Sequence, residues 1–119
     1  MKDKQKIGKI GEASAVEYLE KQGHLILERN WRYHKAEIDI ITKRNDLLIF
    51  VEVKTRQSDR NGLPEDFVSY AQRKMIVGAA SRYMEKQNHE WAVQFDVIGI
   101  LIDDRGMVVR LNHYEDAFY

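Results

Sequence analysis

Cysteine is absent from this chain of 119 residues, and proline occurs only once. Without cysteine, a disulfide framework, a thiol nucleophile and a cysteine-ligated zinc or iron–sulfur site are all excluded. The longest uncharged apolar run covers residues 47–51, far short of the roughly 20 residues that cross a membrane. The lysine-rich first residues are not followed by an apolar signal core, so we expect a cytoplasmic protein without a membrane partner.

Net charge is also lacking, because 19 basic residues balance 19 acidic ones. This balance argues against a nucleic-acid-binding protein whose whole surface is positively charged. Residues 1–60 hold 13 basic and 10 acidic residues, whereas residues 61–119 hold 6 and 9. So modest an asymmetry fits either an ordinary scatter of solvated charge or a basic face on one side of the molecule.

Length and composition favour a single globular domain over residues 1–119, with residues 1–6 expected to be flexible. Apolar residues make up 44% of the chain and charged residues 32%, which is typical of a folded domain. The chain contains no internal repeat, linker or low-complexity tract. Residues 58–64, which include the one proline, are the most loop-like stretch.

Periodicity and turn residues predict an α/β fold, a mixed β-sheet flanked by helices in the order α-β-β-β-α-β-β. The predicted helices cover about residues 7–22, ended by Gly23, and about residues 67–87. The predicted strands are 24–28, 37–41, 47–54, 93–102 and 107–111, with a polar connection at 29–35 and turns at 43–46 and 103–106. The turn at 43–46 makes the second and third strands an antiparallel hairpin.

The third strand carries charged residues on a face that should be core. Glu52 and Lys54 follow Phe50 on one face, because successive strand side chains alternate between faces. An unpaired carboxylate at such a position is costly. A buried Glu52–Lys54 pair, a strand end that emerges into water and a functional site all fit this pattern.

Asp39 on the second strand adds a further carboxylate. It is expected on the face opposite to Ile38 and Ile40, and the hairpin therefore brings it close to Glu52. Two neighbouring carboxylates raise each other's pKa unless a cation lies between them, and hard oxygen ligands suit Mg²⁺ or Mn²⁺. Alone, Asp39 fits a solvated edge residue, but together with Glu52 and Lys54 it favours a metal site.

Both helices present a polar residue on an otherwise apolar face. Glu12 shares its face of the first helix with small and apolar residues, so it is expected to point at the sheet. A carboxylate favoured by the helix dipole is the alternative. Gly8 and Gly11 flank it, which fits either the close approach of a ligand or a frayed end. Gln72 begins the apolar line of the second helix and is able to reach a site ligand or to cap a strand carbonyl.

Four segments together carry a resemblance to a known family. They are GKIGEA at 8–13, RNWR at 29–32, AEIDII at 36–41 and IFVEVKTR at 49–56. Asp39, twelve intervening residues and then Glu52-Val53-Lys54 resemble the core of the PD-(D/E)XK nuclease superfamily. The whole pattern, over about residues 7–118, resembles the YraN family of predicted bacterial endonucleases, which is similar to archaeal Holliday-junction resolvases. That family usually has glycine where Ala36 stands and lysine close to Gln72.

The resemblance implies a restriction-endonuclease-like fold and a metal-dependent DNA endonuclease with Mg²⁺ or Mn²⁺ as cofactor. It implies catalytic roles for Glu12, Asp39, Glu52 and Lys54. Asp39, Glu52, the Val53 carbonyl and Glu12 would hold the metal. Lys54, whose ordinary pKa of about 10.4 is too high for a base, would orient the attacking water or stabilise the charged oxygen.

The remaining expectations concern partners. DNA, branched or distorted, is the expected substrate, bound by a homodimer that supplies two sites. Candidate nucleic-acid contacts are Arg29, Arg32, Lys35, Arg56, Arg60 and Gln72, although each basic residue alone also fits a solvated surface charge. Two other functions stay open: a non-catalytic nucleic-acid binding module with a vestigial metal site, and a structural domain with a buried Glu–Lys pair.

Overall fold

The elements of the fold follow the expected order of helices and strands. The structure, a computed structural model, describes residues 3–58, 60, 62–88 and 92–118. Its helices are α1 (Lys4–Lys21), α2 (Tyr70–Gln87) and a short 3₁₀ helix (Pro64–Phe67), and its strands are β1 (Leu25–Tyr33), β2 (Ala36–Arg44), β3 (Leu47–Arg56), β4 (Ala92–Ile102) and β5 (Val108–Tyr114). Residues 59 and 61 of the predicted loop lie outside the described residues.

The five strands form one mixed sheet in the order β1-β2-β3-β4-β5. All neighbouring pairs are antiparallel except β3 and β4, which run parallel. Parallel neighbours need a long crossover, and α2 provides it between β3 and β4. The predicted α/β fold with a mixed sheet flanked by helices is confirmed.

Each face of the sheet is covered by one helix, so the molecule has two apolar clusters. On the α1 face these are Ala15, Leu19, Ile40, Ile49, Val51, Ile98, Ile100 and Ile102. On the α2 face they are Ile38, Ile41, Leu48, Phe50, Ile76, Ala79, Ala80, Tyr83 and Phe95. Because β3 is central and covered on both sides, its start is apolar on both faces, as the sequence predicted.

The ends of α1 follow from its sequence. Asp3 caps the helix by accepting a hydrogen bond from the Gln5 amide at 2.9 Å, so residues 4–6, expected to be flexible, are helical. Residues 1 and 2 lie outside the described residues. Gly23 ends the helix as predicted, with a φ of 91° that favours glycine.

Gly11 lies at the closest approach of α1 to the sheet. It is buried, and a Cβ atom at this position would overlap the hydroxyl of Thr55 on β3. Gly8, by contrast, has nothing within 4 Å of such an atom. Close packing of the helix on the strand therefore explains why residue 11 is a glycine. The sequence had instead suggested the close approach of a ligand or a frayed helix end.

The polar connection predicted at 29–35 is wrong, because β1 continues to Tyr33. Trp31 and Tyr33 pack against the α2-face cluster, and Trp31 pairs with Ile38 of β2. The strand has a register shift between Ile26 and Glu28, which breaks the alternation expected of a strand. The packing of these two aromatic side chains extends the strand. The polar residues between them made this stretch resemble a connection in the sequence.

The predicted face of Ile38 is also wrong. Ile38 and Ile41 lie in the α2-face cluster, while Ile40 lies in the α1-face cluster. Strict alternation would place Ile38 and Ile40 together. The strand therefore rotates around Asp39, at the point where it stops pairing with β3.

The other differences are at element ends. Ser69 caps α2 by accepting from the Gln72 amide at 3.1 Å, so the helix begins three residues later than predicted, after the 3₁₀ helix. The last strand runs three residues further than predicted, since residues 112–114 still pair with β4. No helix in the described ranges is long and apolar enough to cross a membrane.

Candidate metal centre

A cleft opens where β2 and β3 stop pairing. Their last pair is Ile40 with Val51, although β3 continues to Arg56. Beyond this pair, the Val53 amide donates to Asp39 Oδ2 at 2.8 Å, so a carboxylate replaces a main-chain acceptor. The cleft has a volume of about 860 Å³, and its polar lining includes four carboxylates, Glu12, Glu37, Asp39 and Glu52.

The structure brings Asp39 and Glu52 together, as the hairpin predicted. Glu52 is only 4% exposed, and its carboxyl lies within hydrogen-bonding reach of Asp39. Burial, followed by the hydrogen bond and the negative charge of Asp39, raises the pKa of Glu52 to about 10. This shift favours the protonated form of Glu52 at neutral pH.

Glu12 reaches the same cleft from α1. Its Oε1 atom is buried and has no hydrogen-bond partner among the described residues. Burial, and next the charge of Asp39, raise the pKa of this carboxyl, while a hydrogen bond from Asn30 opposes the shift. The close packing of Gly11 on Thr55 sets how deeply α1 carries Glu12 toward the strands.

Gln72 contacts Glu52 from α2, the helix that covers the other face of the sheet from α1. The Gln72 side-chain amide on α2 donates a short hydrogen bond to Glu52 Oε2. Of the two roles expected for Gln72, contact with a site ligand is the one observed. Gln72 was also predicted as a nucleic-acid contact, but its amide is bonded to the carboxyl.

Lys54 lines the cleft, two residues beyond Glu52 on β3. Its charge lowers the pKa of Glu52, but less than burial and Asp39 raise it. In the described part of the chain, no ion pair joins Lys54 to Glu52. Lys54 is half-buried and contributes to the cleft lining beside the buried Glu52.

Three cationic residues besides Lys54 line the cleft. Lys35 and Arg56, both predicted nucleic-acid contacts, are among its lining residues. Lys4 joins them from the first turn of α1 and was missed, because the helix was predicted to begin later. The spacing of Lys4, Gly8 and Glu12 at four-residue intervals is the signal that would have placed them on one helix face.

The other predicted basic contacts lie outside the cleft lining. Arg32 is 72% exposed and forms an ion pair with Glu37 at 2.7 Å. Arg29 lies near enough to Glu12 for its charge to lower the pKa of that carboxyl. Arg60 is exposed, and its backbone amide donates to the Ser58 hydroxyl. The structure therefore gathers only part of the predicted basic set around the acidic residues.

A second cluster, which shares no residue with the cleft lining, was missed entirely. Asp96, His113 and Glu115 offer ligand atoms that all lie within 4.8 Å of one another. Asp96 comes from β4, whereas the other two come from β5 and the residue after it. The His-x-Glu spacing at 113–115 was the available signal, since alternate strand residues share a face.

Comparison with known proteins gives the family of this chain. A profile described as "Uncharacterised protein family UPF0102" matches residues 11–100. A UPF0102 protein of Clostridioides difficile is 44% identical over 119 residues, covering 99% of this chain and 100% of that protein. A UPF0102 protein of Flavobacterium psychrophilum is 42% identical over 113 residues, covering 95% of this chain and 93% of that protein. The chain belongs to the UPF0102 family.

Proposed function

We propose that this protein is a divalent-metal-dependent endonuclease that hydrolyses phosphodiester bonds of DNA at the cleft between β2 and β3. One observation carries the proposal: the cleft gathers the carboxylates of Glu12, Asp39 and Glu52, and Glu52 is buried within hydrogen-bonding reach of Asp39. Neighbouring carboxylates, one of them buried, are costly unless a cation lies between them, and such an arrangement is typical of a metal site. The resemblance of Asp39 and Glu52-Val53-Lys54 to the PD-(D/E)XK core, and of the four segments to the YraN family, supports the same activity.

The donor set fits Mg²⁺ or Mn²⁺, because every candidate ligand is a hard oxygen. Asp39 and Glu52 supply carboxylates. The Val53 N–H bonds Asp39, and a strand residue points its N–H and C=O to the same side, so the Val53 carbonyl also faces the cleft. Glu12, whose buried Oε1 has no hydrogen-bond partner among the described residues, would hold the metal directly or through a water.

A bound divalent ion would lower the pKa of its water and neutralise charge on the phosphoryl oxygens. The chain's own residues do the rest. Lys54 orients the attacking water and stabilises negative charge on the phosphate. Gln72 fixes the Glu52 carboxyl through its hydrogen bond, and the Val53 amide fixes Asp39. Water adds to phosphorus, the bond to one ribose oxygen breaks, and that oxygen takes up a proton.

The cations Lys4, Lys35 and Arg56 support binding of the DNA backbone at the cleft. A chain with no net charge depends on such a local surface. The described residues form one such acidic cleft, so cleavage of two strands calls for a second copy, and a two-fold homodimer is the common solution. We therefore extend the proposal to a homodimer that acts on branched DNA through backbone shape.

The activity is tested by incubating the full chain with a four-way junction and a matched linear duplex, each with Mg²⁺, Mn²⁺ or EDTA. We expect metal-dependent nicks with the wild type and none with Asp39→Asn. Glu17→Gln is a matched control, because Glu17 lies on α1 but is exposed and pairs with Lys21. DNA binding without cleavage in any metal would replace the endonuclease with the binding-module alternative.

The dimer and the DNA preference need separate measurements. Light scattering is expected to give twice the chain mass at micromolar concentration. Binding to the junction, measured in Ca²⁺ or EDTA, should be tighter than to the duplex and should weaken steeply with salt. A strict monomer with equal affinity for the two DNAs would contradict this part and leave the cleavage activity standing.

A further inference from the structure

The cluster of Asp96, His113 and Glu115 lies on the α1 face of the sheet and shares no residue with the cleft lining. His113 Nε2 and Asp96 Oδ2 lie 2.7 Å apart. Asp96 is completely buried, and the His113 side chain is only 8% exposed. Together with Glu115, these residues place two oxygen donors and one nitrogen donor within 4.8 Å of one another.

Each carboxylate of this cluster has one oxygen held by its surroundings. Asp96 Oδ1 accepts hydrogen bonds from the Gln94 side chain at 2.9 Å and from the Asp116 amide at 3.0 Å. Glu115 Oε1 accepts from Arg44 at 2.9 Å. Metal ligands are characteristically oriented in this way, by partners bonded to the atom that does not bind the metal. The other oxygen of Asp96, Oδ2, lies against His113 Nε2 in the cluster.

The imidazoles follow the same rule. The Tyr18 hydroxyl lies 2.9 Å from His113 Nδ1, which leaves Nε2 directed at Asp96. The hydroxyl of Thr42 lies 2.8 Å from His24 Nδ1, so the Nε2 edge of that ring points away from Thr42. Hydrogen bonds at one ring nitrogen fix the tautomer and the orientation of a ligating histidine.

His24 is the unexplained member of this region. It is 5% exposed, and its Nε2 atom is buried without a hydrogen-bond partner among the described residues. Its ring centroid lies 6.4 Å from that of His113. A buried imidazole with one unpartnered nitrogen therefore lies beside the cluster.

We propose that Asp96, His113 and Glu115 form a site for a transition metal of the Zn²⁺ class, distinct from the cleft, and that the neighbouring imidazole of His24 completes it when the ion binds. One imidazole and two carboxylates are in place, His24 supplies the fourth donor that zinc prefers, and Mg²⁺ avoids nitrogen. A plain network of hydrogen bonds and ion pairs explains His113, Asp96 and Glu115 but leaves His24 Nε2 unused. The bound ion would connect β4 and β5 to the start of β1.

The test titrates the full chain with ZnCl₂ by calorimetry and with CoCl₂ by visible absorption. It uses the Asp39→Asn/Glu52→Gln background, which removes cleft ligands and so separates this site from the proposed function. We expect one equivalent of Zn²⁺, an intense tetrahedral Co²⁺ spectrum and a higher melting temperature with zinc. His24→Gln should weaken zinc binding by about tenfold or more, since even outer partners of ligands contribute that much.

The control variant is His34→Gln, since His34 is exposed on the turn between β1 and β2. It should leave zinc affinity unchanged. His113→Gln removes the partner of buried Asp96, so failure to fold is a risk there, but His24→Gln keeps the Asp96–His113 bond. Absence of zinc binding, or zinc affinity unchanged by His24→Gln, overturns the site and assigns the cluster to a hydrogen-bonded network.

Discussion

Replacement of Glu52 by glutamine is expected to stabilise the metal-free protein as the pH rises. In the native state burial and Asp39 raise the pKa of Glu52 to about 10, whereas the ordinary value is 4.5. The protonated carboxyl is able to donate to Asp39 while it accepts from Gln72. An amide at position 52 makes the same two hydrogen bonds without a titrating proton.

The magnitude follows from proton linkage. Between pH 4.5 and about 10, the native protein holds one proton that the unfolded chain has released. The stability that this proton supplies is complete below the lower value and is lost as the pH rises through the window. The free energy of unfolding therefore falls by about 1.4 kcal/mol per pH unit. Over three units this approaches about 4 kcal/mol, a large part of a typical stability of about 5–15 kcal/mol.

Urea denaturation of the wild type and Glu52→Gln, in EDTA at pH about 5.5, 7 and 8.5, measures the difference. The two proteins should have similar stability at the lowest pH and diverge as the pH rises, with the variant more stable. Glu17→Gln is the control, since this exposed carboxyl should leave the pH dependence unchanged. Parallel curves for wild type and Glu52→Gln would mean that Glu52 is ionised at neutral pH and would refute the reasoning.

Other substitutions test the remaining roles. Lys54→Ala should keep Mg²⁺ affinity by calorimetry but lower the cleavage rate by about 10²-fold or more; a wild-type rate would leave Lys54 no chemical role. Glu12→Gln should weaken Mg²⁺ binding with an unchanged circular dichroism spectrum, and unaltered affinity would exclude it from the site. Gly11→Ala should lower unfolding free energy by about 1–3 kcal/mol because of Thr55, whereas Gly8→Ala should raise it by about 0.5–1 kcal/mol. Equal effects of the two alanines would contradict the packing argument.

The sequence predicted the central features of the cleft because they depend on local rules. The short turn before Leu47 sets the hairpin, and the parity of β3 places Glu52 and Lys54 after Phe50. The apolar line of the second helix correctly placed Gln72 toward the sheet. Hairpin register and side-chain alternation are properties of neighbouring residues, so they are visible in the sequence.

Features that depend on irregular strands or distant segments were out of reach. The register shift in β1 and the rotation of β2 at Asp39 break the alternation on which the prediction relied. The cluster of Asp96 and His113 arises from pairing between β4 and β5, and His24 enters it from the other end of the chain. Such tertiary contacts leave no periodic signal in one sequence.

The cleft takes Glu12 from the helix on one face of the sheet and Gln72 from the helix on the other. Helices that pack on a sheet detach locally at lower free energy than the whole fold requires. Detachment of either helix would dismantle the site while the five strands remain paired. The cleft is therefore complete only when both helices are packed on the sheet. Heat or denaturant should abolish metal binding at the cleft before the β-sheet signal in circular dichroism is lost.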